Sequence, residues 1–481
     1  MHAHKAGLFA SIREMIGQKT TDSRSRAVRG AWHGGNASIR YACITTGGIA
    51  TNDIVRWREE VMNQSNKPAS INQERSQLIN RALILNLLRQ EGICSRATLS
   101  RLSGLKQATI TNIAAELIQC GLVVETGLIP GEKGRRSIGV TLNDARYKVI
   151  GISMTRDQFY VDLVGISGKV YETRSFEISQ TEDPQSVLSR IRTAILQLQQ
   201  DYADSELLAA CLAMPGPYLE DLDRLLFVTE LSGWQNFPIR AVLSEGVGMP
   251  IYVLNDAKAS AFAQLWSRWQ EPAVQNMAYI LAGQGVGCGM ISDGKLVSGQ
   301  HGIAGEFGHS SIKFDGPLCE CGNHGCLEKY CSLSALRSEI RDLLRAHQPS
   351  CLDAGNLHDE AIALAVRAGD PVAVQAYEHV CERLGVGVIS LINQMNPGLI
   401  VLGDALVDIC PERLLEVVRR CVEAGVNERI YSDLAIEINQ LEESPALLGA
   451  GAYAAQQVLA NPGMLIYEAD FRSGRASSEA T

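Results

Sequence analysis

No stretch of this 481-residue chain approaches the roughly 20 consecutive apolar residues that a membrane-spanning helix requires, although hydrophobic residues make up an ordinary 46%. The opening MHAHKAGLFASIREMIG lacks the long apolar core and small-residue cleavage site of a secretory signal. Cysteine does not form a framework either: the thirteen thiols are odd in number and gather in one segment only. That pattern suits reduced thiols and excludes a disulfide-stapled secreted scaffold. What remains is a cytoplasmic protein with no membrane insertion, long enough for several domains with large cores.

The net charge of −9 hides an asymmetry. Residues 72–142 hold nine Lys/Arg against five Asp/Glu, a local surplus of +4 that leaves −13 for the remainder. A basic module on an acidic body is what a binder of the phosphate backbone needs, because its cations release condensed counterions from DNA.

The pattern inside that module is more specific than its charge. Leu78, Ile79, Ala82, Leu83, Leu85, Leu87 and Leu88 recur at helical spacing and stop at Gly92. Ser95 can cap a second helix from Arg96 to Leu102, and Gly104 permits a tight turn into a third helix over about 107–120. Two short helices joined through a glycine turn predict a helix-turn-helix, with the later helix in the major groove. Its exposed start offers Lys106, Gln107, Ala108, Thr109, Thr111 and Asn112 to base edges, and Arg96 is counted as a further DNA contact. Two short strands around Gly131-Glu132-Lys133-Gly134-Arg135-Arg136 predict a wing whose Arg135 and Arg136 reach phosphates or a minor groove. The competing reading is a small helical oligomerisation or linker domain.

The run from Gly305 to Lys329 carries the strongest chemistry. His309, Cys319, Cys321 and Cys326 offer three thiolates and one imidazole, the ligand set of a closed structural zinc site, one ion per chain. Glu306, Gly308 and His309 form E-x-G-H just upstream. C-x-C-G-x-x-G-C-x-E after E-x-G-H resembles the signature of the ROK family, which groups bacterial sugar kinases, sugar-responsive repressors and related reading frames. Ala213-Met214-Pro215-Gly216-Pro217, Leu254-Asn255-Asp256-Ala257, Gly283-Gln284-Gly285-Val286-Gly287 and Asn396-Pro397 running into Ile400-Val401-Leu402-Gly403 extend the likeness over about Val149 to Ala455. The resemblance implies an α/β, two-lobed, actin-like ATPase (ribonuclease H-like) effector domain preceded by a winged helix-turn-helix. The wing of the repressors usually reads G-R-P; here Ser137 follows Arg136.

Three departures bear on catalysis. Where ROK kinases carry D-x-G-G-T, this chain has Ser153-Met154-Thr155-Arg156-Asp157. Where they carry G-T-G-x-G, Gln284 replaces the small hydroxyl, and Gly403-Asp404 stands for Gly-Gly at the adenosine end. Phosphoryl transfer depends on positioning and charge stabilisation, so these losses predict a non-enzyme. The sugar side is kept: Asn255, Asp256 (matching the kinase base), Glu306, His309 and Glu328 match sugar-contacting positions, and their oxygens suit vicinal hydroxyls. By the same resemblance His309 serves both zinc and sugar, so the metal fixes the ring.

The expected organisation is a disordered or over-extended reading over 1–71, with the natural start at Met62. A DNA-binding domain follows over 72–142, then first and second lobes over 143–270 and 271–461, and a disordered tail over 462–481. The expected function is a sugar-responsive regulator, a homodimer or homotetramer on a double-stranded DNA operator, with a sugar or sugar phosphate as effector. An ATP-dependent sugar kinase and a repressor controlled by a protein partner are the alternatives.

Overall fold

The computed structural model describes residues 73–130, 136–179, 181–226, 233–235, 237–463 and 465–466. The expected extension over 1–71, the wing tip with Arg135, and the chain past 466 lie outside them.

The first described element, α1 (Gln73–Glu91), ends at Gly92. After β1 (Cys94–Ser95), the Ser95 hydroxyl accepts the Thr98 amide at 3.1 Å and starts α2 (Arg96–Ser103). Gly104 takes φ 70°, a left-handed turn that a side chain would strain, and leads to α3 (Gln107–Gln119). Leu85, Leu88, Leu99, Ile110, Ile113 and Leu117 pack the three helices together. Strands β2 (Val123–Ile129) and β3 (Ser137–Leu142) then form a hairpin, with sheet order β1-β3-β2.

The body repeats one construction twice. The first sheet contains β4 (Tyr147–Met154), β5 (Gln158–Gly165), β6 (Val170–Glu177), β7 (Glu206–Met214) and β10 (Ile251–Asn255) in the order β10-β7-β4-β5-β6. Helix α4 (Pro184–Asp201) precedes β7. A small hairpin of β8 (Tyr218–Leu219) and β9 (Arg224–Leu225), then α5 (Ile239–Ser244), separate β7 from β10. Helix α6 (Asp256–Ser267) follows β10 directly.

The second sheet contains β11 (Met277–Ala282), β12 (Val286–Ser292), β13 (Lys295–Leu296), β14 (Leu399–Gly403) and β15 (Ala435–Ile438) in the order β13-β12-β11-β14-β15. In both sheets the first strand sits centrally, pairs antiparallel with the second, and has two parallel strands on its other side. Strands β4 and β14 are buried along their whole length, as central strands covered on both faces should be.

The helices of the second half are α7 (Glu328–Cys331), α8 (Leu333–Arg345), α9 (Asp359–Ala368), α10 (Pro371–Met395), α11 (Ala405–Ile409), α12 (Pro411–Gly425), α13 (Glu428–Ser432) and α14 (Pro445–Ala460). The apolar rhythm from Asp359 onward divides in two at Gly369-Asp370-Pro371. Pro371 cannot continue a helix, and the Asp370 side chain caps α10 by accepting the Ala373 amide at 3.0 Å.

Position along the chain assigns α14 to the second lobe, 271–461, but it packs on the first sheet. The reason is backbone proximity: a methyl on Gly151 of β4 would lie 2.7 Å from the Gly451 amide nitrogen. The expected tail from 462 begins in order as well, since Ile466 is buried in the same cluster as α1 and α14.

Candidate functional site

Strand ends build the site. β4 and β10 run parallel in the first sheet and β11 and β14 in the second, and Arg156, Asp256, Gly283 and Asp404, which follow them, come close together at the carboxyl ends where open α/β sheets bind ligands. Asn255 closes β10 and caps α6, its side-chain oxygen accepting the Ala257 amide at 2.9 Å. Its amide nitrogen donates to the Gly216 carbonyl at 3.2 Å, tying this end to the Ala213–Pro217 turn. Asn255 therefore gives its carbonyl to the helix start and one amide N–H to the turn.

Asp256 is half-buried at the first turn of α6. Burial, reinforced by the charge of Asp404, pushes its carboxyl up to about 7. Glu306, in the loop after β13, is raised to about 7 as well, first by burial; Lys258 opposes the rise while Asp256 and Glu328 add to it. The His309 ring lies beside Glu306, with Nε2 4.0 Å from a carboxylate oxygen. Glu328 is turned inward: its Oε2 accepts the Val286 amide at 2.9 Å beneath the Gly283–Gly287 turn. Asp256, Glu306, His309 and Glu328 thus share one acidic neighbourhood.

Lys258 is a member the sequence reading missed. It is only 3% exposed, its ammonium donates to the Gly302 carbonyl, and Glu306 and Glu220 supply opposing charge. A lone lysine in the Ala-rich run D-A-K-A-S-A-F-A was the available signal. A buried ammonium requires such partners, and these pin the loop before Glu306 onto α6.

The departures from the kinase pattern meet here too. Asp404 has φ 84° and ψ 175°, a region essentially reserved for glycine that costs about 1–3 kcal/mol. A methyl on Gly283 would collide with its carboxylate, so Gly283 is fixed by a side chain of the protein itself. Arg156, in the β4–β5 turn, offsets the charge of both Asp404 and Asp256.

Next to these groups lies the Cys/His knot. His309 Nδ1 is 3.5 Å from Cys319 Sγ, and Cys321 Sγ is 3.6 Å from Cys326 Sγ. All four ligand atoms lie within 4.8 Å of one another. Metal–sulfur bonds of about 2.3 Å and metal–nitrogen bonds of about 2.0 Å place tetrahedral ligand atoms roughly 3.5–3.8 Å apart, so the donor set fits a metal ion of that size. Burial and the neighbouring thiols raise the Cys326 thiol to about 12, which a bound dication would reverse by holding the thiolate. His324 is no ligand: its Nδ1 faces the Gly316 carbonyl at 3.1 Å.

A second surface lies on the three-helix unit. Lys106, Gln107, Ala108, Thr111 and Asn112 are exposed along the start of α3, while Thr109 is half-buried. The Thr111 hydroxyl donates back to the Gln107 carbonyl at 2.9 Å. Arg96 is engaged by Glu125 of β2 at 2.7 Å, which locks the hairpin against α2. Arg136 is exposed at the start of β3.

Two α/β lobes of identical strand order, with a carboxylate cluster beside a Cys/His knot, define a protein of the two-lobed actin-like class. A model of the ROK family matches residues 149–457, and the chain belongs to that family. It is 30% identical to the xylose repressor of Caldicellulosiruptor bescii over 391 residues, covering 80% of this chain and 97% of that protein. The crystal structure of a ROK family transcriptional regulator, a homologue of the Escherichia coli MLC protein, superposes with a TM-score of 0.70 at 27% identity. It covers 82% of this chain and 98% of its own. A ROK hexokinase from Thermus thermophilus gives a TM-score of 0.54 at 25% identity, covering 65% of this chain and 99% of its own.

Proposed function

We propose that this protein is a sugar-responsive, DNA-binding transcriptional regulator, acting as a repressor of carbohydrate uptake or catabolism genes in the cytoplasm. The observation that carries the reading is the extent of the alignments. The xylose repressor matches 80% of this chain and nearly all of its own length, whereas the hexokinase spends 99% of its length on 65% of this chain. The surplus fits a winged helix-turn-helix over 72–142, with α3 as the recognition helix and β2–β3 as the wing. Gln107 and Asn112 would read adenine edges, Thr109 and Thr111 would offer methyls to thymine, Ala108 would pack between them, and Lys106 and the wing arginines would meet phosphates. Arg96 would join only by leaving Glu125.

The effector, a sugar or sugar phosphate, would be held by Asp256, Glu306 and His309, with Glu328 supporting the floor. Zn2+ held by His309, Cys319, Cys321 and Cys326 would be structural: with four protein ligands no position is left for a reacting water. The zinc would orient the imidazole so that Nε2 faces the effector beside Glu306. A dimer or tetramer would present two recognition helices to a two-fold operator.

Asp256, raised to about 7, favours a second reading, because a carboxylate poised near neutrality suits a general base. Against phosphoryl transfer stand Arg156 and Asp404, which put side chains where the kinase pattern has glycine. Fluorescence anisotropy on DNA from upstream of the gene, titrated with sugars, sugar phosphates and ATP, separates the two. Specific binding released by one sugar supports the regulator; absence of specific binding together with ATP turnover overturns it. Binding that no sugar alters moves control to a protein partner.

A further inference from the structure

Helix α6 joins the carboxylate cluster to the three-helix unit. Its first residue, Asp256, belongs to the carboxylate cluster, and its last full turn carries Trp266. Twelve residues at 1.5 Å each make a rod of about 18 Å. The rod is wedged between backbones: methyls added at Gly289 of β12 or Gly449 of α14 would collide with the carbonyls of Ala257 and Ala259. With no compressible side chains at these first-turn contacts, the start of α6 cannot shift freely against β12 and α14, and a displacement there is passed along the rod.

What Trp266 meets is the helical unit. The Arg89 guanidinium carbon sits 4.0 Å from the Trp266 ring centroid, and Arg89 Nη1 donates to the Trp266 carbonyl at 3.3 Å. Trp266 itself is 8% exposed. The Arg89 Nε is buried and has no hydrogen-bond partner, and burial lowers the guanidinium to about 10. A cation held over an indole with one donor unsatisfied is a costly contact for mere packing. Arg89 lies in the last turn of α1, and α1 grips the recognition helix through Arg81–Glu116 at 2.8 Å.

We propose that α6 and the Arg89–Trp266 contact form the link by which occupancy of the sugar site repositions α3. Arg89 and Trp266 are its positioning residues, touching neither sugar nor DNA. The relay runs Asp256, α6, Trp266, Arg89, α1, Arg81–Glu116, α3. It rests on the regulator reading for its purpose, but the mechanical coupling stands apart from it.

The test uses the full chain and two triggers at the site end: D-xylose, and the substitution Asp256→Asn. Amide hydrogen exchange is followed in residues 73–91 and 107–119. Either trigger is expected to change exchange there in the wild type. In Arg89→Met the change in α6 persists while that in α1 and α3 disappears. Trp266→Phe, which keeps an aromatic face, retains the response, and Trp266→Leu loses it. Calorimetric melts confirm that each variant is folded, and a response in Trp266→Phe keeps the test valid if Arg89→Met is not.

On operator DNA, a sugar-dependent change in affinity of roughly 5–150-fold is expected to fall below about threefold in Arg89→Met with sugar affinity unchanged. A wild-type-sized response in Arg89→Met, or no effect of either trigger on α1 and α3, overturns the link. Exchange coupling without specific DNA binding leaves the link standing and removes the regulator reading instead.

Discussion

The two lobes share one strand order and differ at their equivalent hairpin tips. In the first, β4 turns into β5 through Thr155-Arg156-Asp157, a turn whose backbone is closed mainly by its own bonds: the Thr155 amide donates to the Gln158 carbonyl at 2.8 Å and its hydroxyl to Asp157 at 2.8 Å, with one further bond from the Ile178 amide to the Asp157 carbonyl at 2.6 Å. In the second, β11 turns into β12 through Gly283-Gln284-Gly285, and that turn depends on others. Glu328 takes the Val286 amide from below, its carboxylate 2.9 Å from where a Gly285 methyl would stand, and Asp404 crowds Gly283. Gly283 and Gly285 are thus explained by protein carboxylates, while Gly287 is packed against Ala257. A phosphate-loop pattern can outlast its ligand when other side chains come to require the same backbone space.

Removing what supports the second lobe should have the largest effect. Cys326→Ser, or chelation of the wild type, is expected to destabilise that lobe by on the order of 5 kcal/mol or more and to abolish sugar binding. Calorimetry with elemental analysis checks this, and an unchanged melt with no bound metal would contradict a structural ion. Glu328→Ala strands the Val286 amide and should cost about 1–3 kcal/mol. Thr155→Ala in the first lobe should cost about 1 kcal/mol or less, and equal losses in urea melts would erase the distinction between the tips.

Asp256→Asn tests the charge shared across the lobes. The Asp256 carboxyl titrates near 7 in the fold against 3.8 in the unfolded chain. The folded state therefore holds its proton better, and wild-type stability falls as pH rises between those values. The asparagine variant escapes that loss, so its advantage should grow from pH 4 to 7 and level off above. After allowance for solvent screening the gain is on the order of 1–2 kcal/mol; an advantage independent of pH would refute it. Also opposite in sign to the lobe losses, Asp404→Gly relieves a strained backbone and should stabilise by about 1 kcal/mol, read as a higher melting temperature.

Local signals made much of this legible. Ser95 and Gly104 marked the ends of α2, and the 10-2-5 spacing from His309 to Cys326 gathered the knot. Contacts distant in sequence were not legible. Nothing in Ala446–Val458 announces that its helix crosses back to the first sheet, because Gly451 is meaningful only against Gly151. Lys258 and Arg89 escaped for the same reason: a buried cation is recognised by the partners that pay for it, which lie 44 and 177 residues away.

The core of the helical unit does not stop at residue 142. Leu85, Leu88 and Leu117 belong to one apolar cluster with Tyr147, Trp266, Leu459 and Ile466, and the Tyr147 hydroxyl donates to the Cys120 carbonyl at 2.8 Å. Such a head cannot be treated as a detachable cassette. A chimaera that grafts residues 73–142 onto another body would inherit half a core, and the transferable module is the three helices together with the far ends of α6 and α14.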